Sequence, residues 1–439
     1  MEVCVKSLCM KYSIYNNFID LTDTVKAVYN SASDSFVLIM GGNWLNNPPA
    51  ELRRLNEDLY NELCGAGAIV SNEEDEYKKQ LRNSQKIRLE SGVFHLMINP
   101  TLDCNLHCWY CYEKHVKGSS ISSEIMNSIL GLISKKCIEQ RNIKKLILSF
   151  FGGEPLLEFD SVRKIILHSL VCCEKKSIAL GISFTSNGVL INDEMVSFFK
   201  ENKLDVTFQI TLDGAQEEHD KTRFTKGNVG TYDIIIRNIH CLLENQIPVI
   251  LRINYTAKNF SSILSILSDI KKWDEEDKKY VQVDLQRIWQ DGAKELEIRP
   301  TMKLFREGGF EITSPLLDLD YLHHPCYADC VNQLLVNYNG DVYKCTARDF
   351  SKESRHGFLK DDGSVVWMQG TPKERITNIL PHQICSTCSI FPLCGGGCIQ
   401  KRQEQKDNVC IYGIDEQKKQ DIILNRFYNY VVKNKCKFQ

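Results

Sequence analysis

Nowhere in this 439-residue sequence does an apolar run approach the ~20 residues that a membrane-spanning helix needs. Residues 1–17 likewise lack the long apolar core of an export signal. An excess of either charge is also missing: 54 Lys and Arg stand against 56 Asp and Glu, a formal charge of −2. No global basic field therefore draws the chain to nucleic acid or to an anionic membrane. Internal repeats and low-complexity tracts are absent as well. These absences make a cytoplasmic globular protein of two or three domains the expectation, with neither nucleic acid nor membrane as partner.

Cysteine, by contrast, is abundant, with 19 residues. In a reducing compartment thiols at this density are poor candidates for a disulfide framework. Thiolates are soft ligands that favour zinc or iron–sulfur clusters, so metal ligation is the better explanation. Eleven cysteines fall into two spacing patterns, and the remaining eight (Cys4, Cys9, Cys64, Cys137, Cys172, Cys173, Cys241 and Cys436) are scattered. These eight are expected to be small buried hydrophobes.

Three regions are visible along the chain. Residues 1–90 form a short mixed segment with a strand-like run at 36–40 and helix-like stretches at 51–64 and 72–88. From 93 to 310, apolar strand-like runs at 95–99, 146–151, 181–185, 206–212, 249–255 and 281–288 alternate with helical stretches at 122–138, 159–174, 193–202, 232–245 and 261–273. Strand–helix alternation predicts an α/β fold with a parallel sheet and right-handed crossovers. Six such units curve into a partial (β/α)6 TIM-like barrel, whose strand C-terminal ends face one shared site. From 311 to 439 the periodicity breaks up and cysteines, glycines and turns dominate, which predicts a segment reliant on metal for its fold.

The first pattern follows the first strand of the alternation: Cys104-Asn-Leu-His-Cys108-Trp-Tyr-Cys111. Three thiolates on one loop can hold three irons of a 4Fe–4S cluster and leave the fourth open, as a catalytic site requires. A zinc knuckle is the plain alternative. This spacing, with Tyr110 before the last cysteine, resembles the signature of the radical S-adenosylmethionine superfamily. The resemblance implies that the open iron binds the amino and carboxylate groups of S-adenosylmethionine, and that an electron cleaves a C–S bond to give a 5′-deoxyadenosyl radical. Other positions are similar to that family's. Gly152-Gly153-Glu154-Pro155 closes the second strand, where glycines permit close backbone approach to a ligand and Glu154 can accept from its ammonium. Thr185-Ser186-Asn187-Gly188 and Thr211-Leu212-Asp213-Gly214 end the third and fourth strands, though each is also a plausible strand-ending turn. His219-Asp220 and Arg223 follow, and Arg223 can pair with the ligand's carboxylate.

The second pattern is longer. Cys330 precedes Gly340 and Cys345, and then come Cys385-x2-Cys388-x5-Cys394-x3-Cys398 and Cys410. CxxC pairs alone would suggest zinc. Downstream of the first motif, the array resembles the seven-cysteine SPASM domain found in one radical S-adenosylmethionine subgroup. The resemblance implies two auxiliary 4Fe–4S clusters, three in all with the catalytic one. Cys345, Cys330 and Cys398 would hold one auxiliary cluster, and Cys385, Cys388, Cys394 and Cys410 the other. Cys326 is a candidate fourth ligand of the former.

SPASM enzymes generally modify peptides or proteins. Anaerobic sulfatase maturases typically carry an aspartate base directly after the cysteine of the GxxxxC segment, whereas here Thr346 follows Cys345 and Asp349 comes later. The run 344–350 looks more like maturases of ribosomally made peptides. Many of these begin with a winged-helix-like module that recognises a leader peptide, so residues 1–90 either serve that role, with 36–40 as the edge strand, or merely cap the barrel. The expected activity is hydrogen abstraction from a precursor peptide followed by an intramolecular carbon–carbon, carbon–oxygen or thioether crosslink. Asp349, Glu113 and His115 are acid–base candidates. The electron would come from a low-potential donor such as flavodoxin or ferredoxin. A sulfatase-maturase-type side-chain oxidase is the alternative enzyme, and a zinc-stabilised peptide-binding module the alternative of another class.

Overall fold

The computed structural model describes residues 9–139, 142–225, 227–292, 296–315, 317–320, 325–405 and 407–433. Cys4 and Cys436 lie outside the described residues. The chain divides into two compact units. One comprises Met1–Glu90, Leu316–Val331 and Lys373–Gln439; the other comprises Ser91–Pro315 and Asn332–Pro372. Of the three segments expected from sequence, 1–90 thus falls in the first unit and 93–310 in the second. The segment 311–439 is divided between them.

In the first unit β1 (Met10–Tyr12) pairs antiparallel with β5 (Ile69–Ser71). A separate antiparallel sheet joins β2 (Asn16–Asp20), β3 (Val25–Asn30) and β4 (Ser35–Met40) in that order. Its residues Val28, Val37 and Ile39 pack with Leu52, Leu59 and Leu63, while Ile19, Ala27 and Tyr29 pack with Ile390, Leu393 and Ile422. Both faces of this small sheet are therefore partly covered, while Phe18, Leu38 and Met40 stay exposed. The helix expected over 51–64 is two, α1 (Pro49–Leu55) and α2 (Glu57–Gly65). Asn56 divides them: its backbone leaves the helical region, and its side chain accepts from Leu59 N at 3.0 Å as the N-cap of α2. The helix expected at 72–88 starts later, as α3 (Glu76–Leu89), behind the Asp75 cap.

The second unit is built on an eleven-stranded sheet. The six expected strands are β6 (Val93–Asn99), β7 (Lys145–Phe150), β8 (Ala179–Ser186), β9 (Asp205–Leu212), β10 (Val249–Tyr255) and β11 (Val281–Arg287), paired in parallel in sequence order. Between them run α4 (Ser123–Glu139), α5 (Phe159–Lys176), α6 (Asp193–Glu201), α7 (Gln216–Thr222), α8 (Tyr232–Glu244) and α9 (Ile263–Ile270). This is the partial barrel of the sequence reading. Register explains its cohesion: Phe150, Phe184 and Phe208 are adjacent across β7, β8 and β9 and stack at 5.1 and 4.8 Å.

The sheet continues beyond the expected six. Short β12 (Glu311–Thr313) adds in parallel to β11, and β13 (Gln333–Asn337) adds in parallel to β6. β14 (Asp341–Tyr343), β15 (Gly357–Leu359) and β16 (Val365–Trp367) follow antiparallel. Runs of three to five residues are too short to show a period, which is why 311–372 reads as irregular in sequence. Of the scattered cysteines, Cys137, Cys172 and Cys173 are buried as expected, whereas Cys64 and Cys241 are half-buried and Cys9 is exposed.

Candidate active site

Where β6 ends, the loop carrying Cys104, Cys108 and Cys111 is closed at its base by its own polar groups. Thr101 Oγ1 donates to Ser119 O at 2.6 Å, Leu102 N donates to Ser119 Oγ at 2.9 Å, and Gly118 N donates to Asp103 Oδ2 at 2.8 Å. The end of β7 seats the same loop. Gly153 N donates to Thr101 O and Glu154 N to Asp103 O, at 3.1 and 2.8 Å. Gly152 has φ +112°, and a Cβ there would strike the Thr101 carbonyl oxygen; one on Gly153 would strike that of Asp103. The close approach that these glycines permit is therefore to the cysteine loop itself.

Glu154 is fully buried and does not line the cavity described below. Its carboxylate accepts from Leu156 N at 3.0 Å, Ser186 Oγ at 2.9 Å and Asn187 N at 2.8 Å. Burial pushes its pKa up to about 7, against those donors. Through these bonds Glu154 ties the end of β7 to the end of β8. Asn187, carried on that β8 end, donates through Nδ2 to Asn105 Oδ1 at 2.7 Å and reaches the cysteine loop.

Tyr110 joins the loop to the far strands. Its hydroxyl donates to the Asp213 carboxylate and accepts from Arg223 Nη2 at 2.8 Å and Asn254 Nδ2 at 3.0 Å. Arg223 Nε in turn donates to Asp213 at 2.5 Å. The expected pairing partner of Arg223 is a ligand carboxylate; within the chain the guanidinium already holds Asp213. His219 is fully buried, accepts from Asp213 N through Nδ1 at 3.3 Å and bonds Thr231 Oγ1 through Nε2 at 3.1 Å. An Nδ1 that accepts leaves Nε2 to donate. Burial, then the Arg223 charge, holds His219 well below the usual histidine range. Asp220 caps α8 by accepting from Thr231 N and Tyr232 N at 2.7 and 2.9 Å.

These elements enclose a cavity of about 180 Å³ at the C-terminal ends of the strands. Cys104, Cys108, Cys111, Tyr110, Gly152, Gly153, Asn187 and Arg223 line it; Asp213 and Asp349 do not. Asp349 is exposed, on the turn after β14. Glu113 and His115 also line the cavity, with Arg252 and Asn254 from β10 and Arg287 from β11. The last three were missed in the sequence reading. Their signal is there: polar residues at alternate positions near the end of an otherwise apolar strand, as in Leu251-Arg252-Ile253-Asn254.

Burial pushes the Cys104 thiol up to about 12 and that of Cys111 up to about 11. Among the described residues no three His, Cys, Asp or Glu side chains converge on a single metal ion. A cluster makes a different demand, since each thiolate takes its own iron. Three thiols on one loop facing a common cavity, with glycine backbone flush beside them, fit that demand. Cys104, Cys108 and Cys111 would hold the cluster.

In the other unit Cys326 and Cys330 flank the turn Tyr327–Asp329, Cys385 lies within Gln383–Thr387, and Cys394 ends Phe391–Cys394. Gly395, Gly396 and Gly397 all have positive φ and turn the chain on to Cys398. After burial, the charges of Cys388, Cys385 and Cys410 push up the Cys394 thiol, to about 12, so these four share one neighbourhood. Cys398 and Cys326 act on Tyr412 in the same way. Cys345 belongs to the barrel unit.

Residues 98–268 match the Radical SAM superfamily. The chain is 26% identical over 342 residues to a cysteine-type anaerobic sulfatase-maturating enzyme of Clostridium novyi, covering 71% of this chain and 90% of that one. Among solved structures it is similar to anSMEcpe with bound AdoMet and the Kp18Cys peptide, with TM-score 0.57 and 18% identity over 77% of this chain and 98% of that one. It is also similar to Streptococcus suis SuiB bound to its precursor peptide SuiA, with TM-score 0.51 and 13% identity over 93% and 99%. At these identities the two structures speak for the fold.

Proposed function

We propose that this radical S-adenosylmethionine enzyme, with its SPASM-like architecture, is a maturase that crosslinks a ribosomally made precursor peptide. When bound, the cluster and S-adenosylmethionine supply a 5′-deoxyadenosyl radical that abstracts hydrogen from an unactivated carbon of the peptide. The chain's own residues prepare the place for it. Cys104, Cys108 and Cys111 present three thiolates, Asn187 and Tyr110 brace their loop, and the arginines of the cavity offer donors for a carboxylate. Cys385, Cys388, Cys394 and Cys410 would hold an auxiliary cluster, which takes up the electron released when a closed-shell product forms. A low-potential carrier such as flavodoxin or ferredoxin would supply the reducing electron.

The observation that carries the peptide reading is the edge of the N-terminal sheet. β4 pairs with β3 on one side alone among the described strands, and it exposes Leu38 at 44% and Met40 at 79%. An unpaired edge with apolar side chains suits strand addition by an extended leader. SuiB, bound to a precursor peptide, lends the reading a fold-level parallel.

A second reading, oxidation of a protein side chain as by a sulfatase maturase, draws on the likeness to the Clostridium novyi enzyme over 90% of its length. Asp349 weighs against it, being exposed and outside the cavity. The experiment is anaerobic incubation of the reconstituted enzyme, S-adenosylmethionine and dithionite with two peptides: the one encoded beside the gene, and a sulfatase-derived one. Loss of two hydrogens per crosslink from the first supports the maturase. Oxidation of the second alone replaces it with the side-chain oxidase. Zinc in place of iron, with no deoxyadenosine from a fully loaded protein, overturns both.

A further inference from the structure

Glu113 lies two residues after Cys111 and lines the cavity, yet it is only 8% exposed and neither of its carboxylate oxygens has a hydrogen-bond partner. It is the one acidic side chain among the described residues of the lining. The basic groups there do not reach it. Arg223 is turned to Asp213 and Tyr110, and Arg252 Nε donates to Asn254 Oδ1 at 2.9 Å. Glu154, the acid expected to face the ligand, accepts from three of the chain's own donors and lies outside the lining.

Buried polar groups are almost always hydrogen-bonded, and a buried carboxylate without donors is costly. The missing donor is therefore supplied by what fills the cavity. A charged nitrogen with several N–H groups answers both the charge and the lone pairs, where a neutral amide answers only the latter. We propose that Glu113 is the cation-accepting subsite of this cavity, taking a protonatable nitrogen either from the aminoacyl end of S-adenosylmethionine or from a basic side chain of the peptide. Arginines and a lone carboxylate in one lining give the cavity both signs of charge, which suits a zwitterionic ligand. This assignment rests on the radical-enzyme reading and deepens it.

The test uses reconstituted wild type, E113Q and E113D, compared first for iron content. S-adenosylmethionine is titrated against the dithionite-reduced protein and followed by the change in the cluster's EPR spectrum. In parallel n-butylammonium, a mimic of a lysine side chain, is added to the S-adenosylmethionine-bound protein, with n-butanol as control. If the aminoacyl end is the source, E113Q weakens S-adenosylmethionine binding by about tenfold or more, E113D by less, and butylammonium is silent. If the peptide is the source, S-adenosylmethionine binding is unchanged, and butylammonium but not butanol perturbs the wild-type spectrum and leaves that of E113Q unmoved. Behaviour of E113Q identical to wild type in both arms overturns the proposal. So does loss of iron from both variants, which would make Glu113 part of the loop's folding. A wild type that loads iron but releases no deoxyadenosine strikes the radical reading instead, so the two failures are distinct.

Discussion

Asp213 and Arg223 meet at 2.5 Å with side chains only 1% and 9% exposed, and Tyr110 of the cysteine loop closes the triangle by donating to the same carboxylate. The pair links the end of β9 to the segment after α7, and through Tyr110 it fixes the residue that lies between Cys108 and Cys111. Burial makes this an all-or-nothing arrangement, because neither charge can fall back on water.

Asp213→Asn strands the Arg223 guanidinium and lowers stability by about 3–5 kcal/mol. The double change Asp213→Asn with Arg223→Met is milder, since no buried charge is left without a partner. Denaturant unfolding of the two variants checks this. A single variant within about 0.5 kcal/mol of wild type contradicts it.

Gly153→Ala puts a methyl into the Asp103 carbonyl oxygen, backbone against backbone, where no side chain can turn away. The barrel survives, because its core lies among Phe150, Phe184 and Phe208, but the cysteine loop is lifted off β7. The variant keeps its circular dichroism and loses about 4 irons per chain, one 4Fe–4S cluster. Iron and sulfide analysis beside the Cys104→Ala variant measures the effect. Full iron content in Gly153→Ala would show that the loop finds its place without this seat.

The barrel was legible in the sequence because each of its six strands is a long apolar run followed by a helix, and β10 begins and ends where the pattern says. Cys104, Cys108 and Cys111 stand out by their spacing and Arg223 by resemblance, and the structure brings all four to the lining of one cavity. That Glu154 accepts from Ser186 and from the backbone of Asn187 and Leu156 was not legible, since a strand-end carboxylate looks the same in sequence whatever donors the fold brings to it. Strands β13 to β16 escaped because three to five residues carry no readable period. Their pairing is settled by β6, which lies more than 200 residues earlier. The break at Asn56 was a local signal that could have been read: an asparagine directly before Glu57-Asp58 marks a helix start.

His95 on β6 bonds Ser149 Oγ at 2.7 Å, which in turn bonds Ser183 Oγ at 2.6 Å. Burial, and then the Lys344 charge, lower its pKa to about 4. The unfolded chain binds this proton near pH 6.5, while the folded chain refuses it until about 4. Stability is thus fully present above about pH 6.5 and is lost as pH falls towards 4, by on the order of 3 kcal/mol for this group. His95→Gln flattens that part of the profile, which melting temperatures from pH 7 to 4.5 would show. Parallel profiles for the two proteins would assign the acid sensitivity to other groups, with buried His219 the first to examine.

The unpaired edge of β4 makes the last prediction the most selective. Leu38 and Met40 are exposed and contribute little to the core formed by Val28, Val37 and Ile39, so Leu38→Lys with Met40→Lys changes stability by no more than about 0.5 kcal/mol. Charges on a strand edge disfavour addition of a further strand. If a leader docks there, the double variant modifies the leader-bearing precursor at least about tenfold more slowly at sub-saturating peptide, a loss equivalent to about 1.4 kcal/mol of binding. Release of deoxyadenosine without peptide stays at the wild-type rate, because the cysteine loop and its cavity are untouched. Chemistry and recognition are thereby separated in one protein. Equal loss of both activities would tie the edge to folding, and equal retention of both would leave β4 as a cap on its own helices.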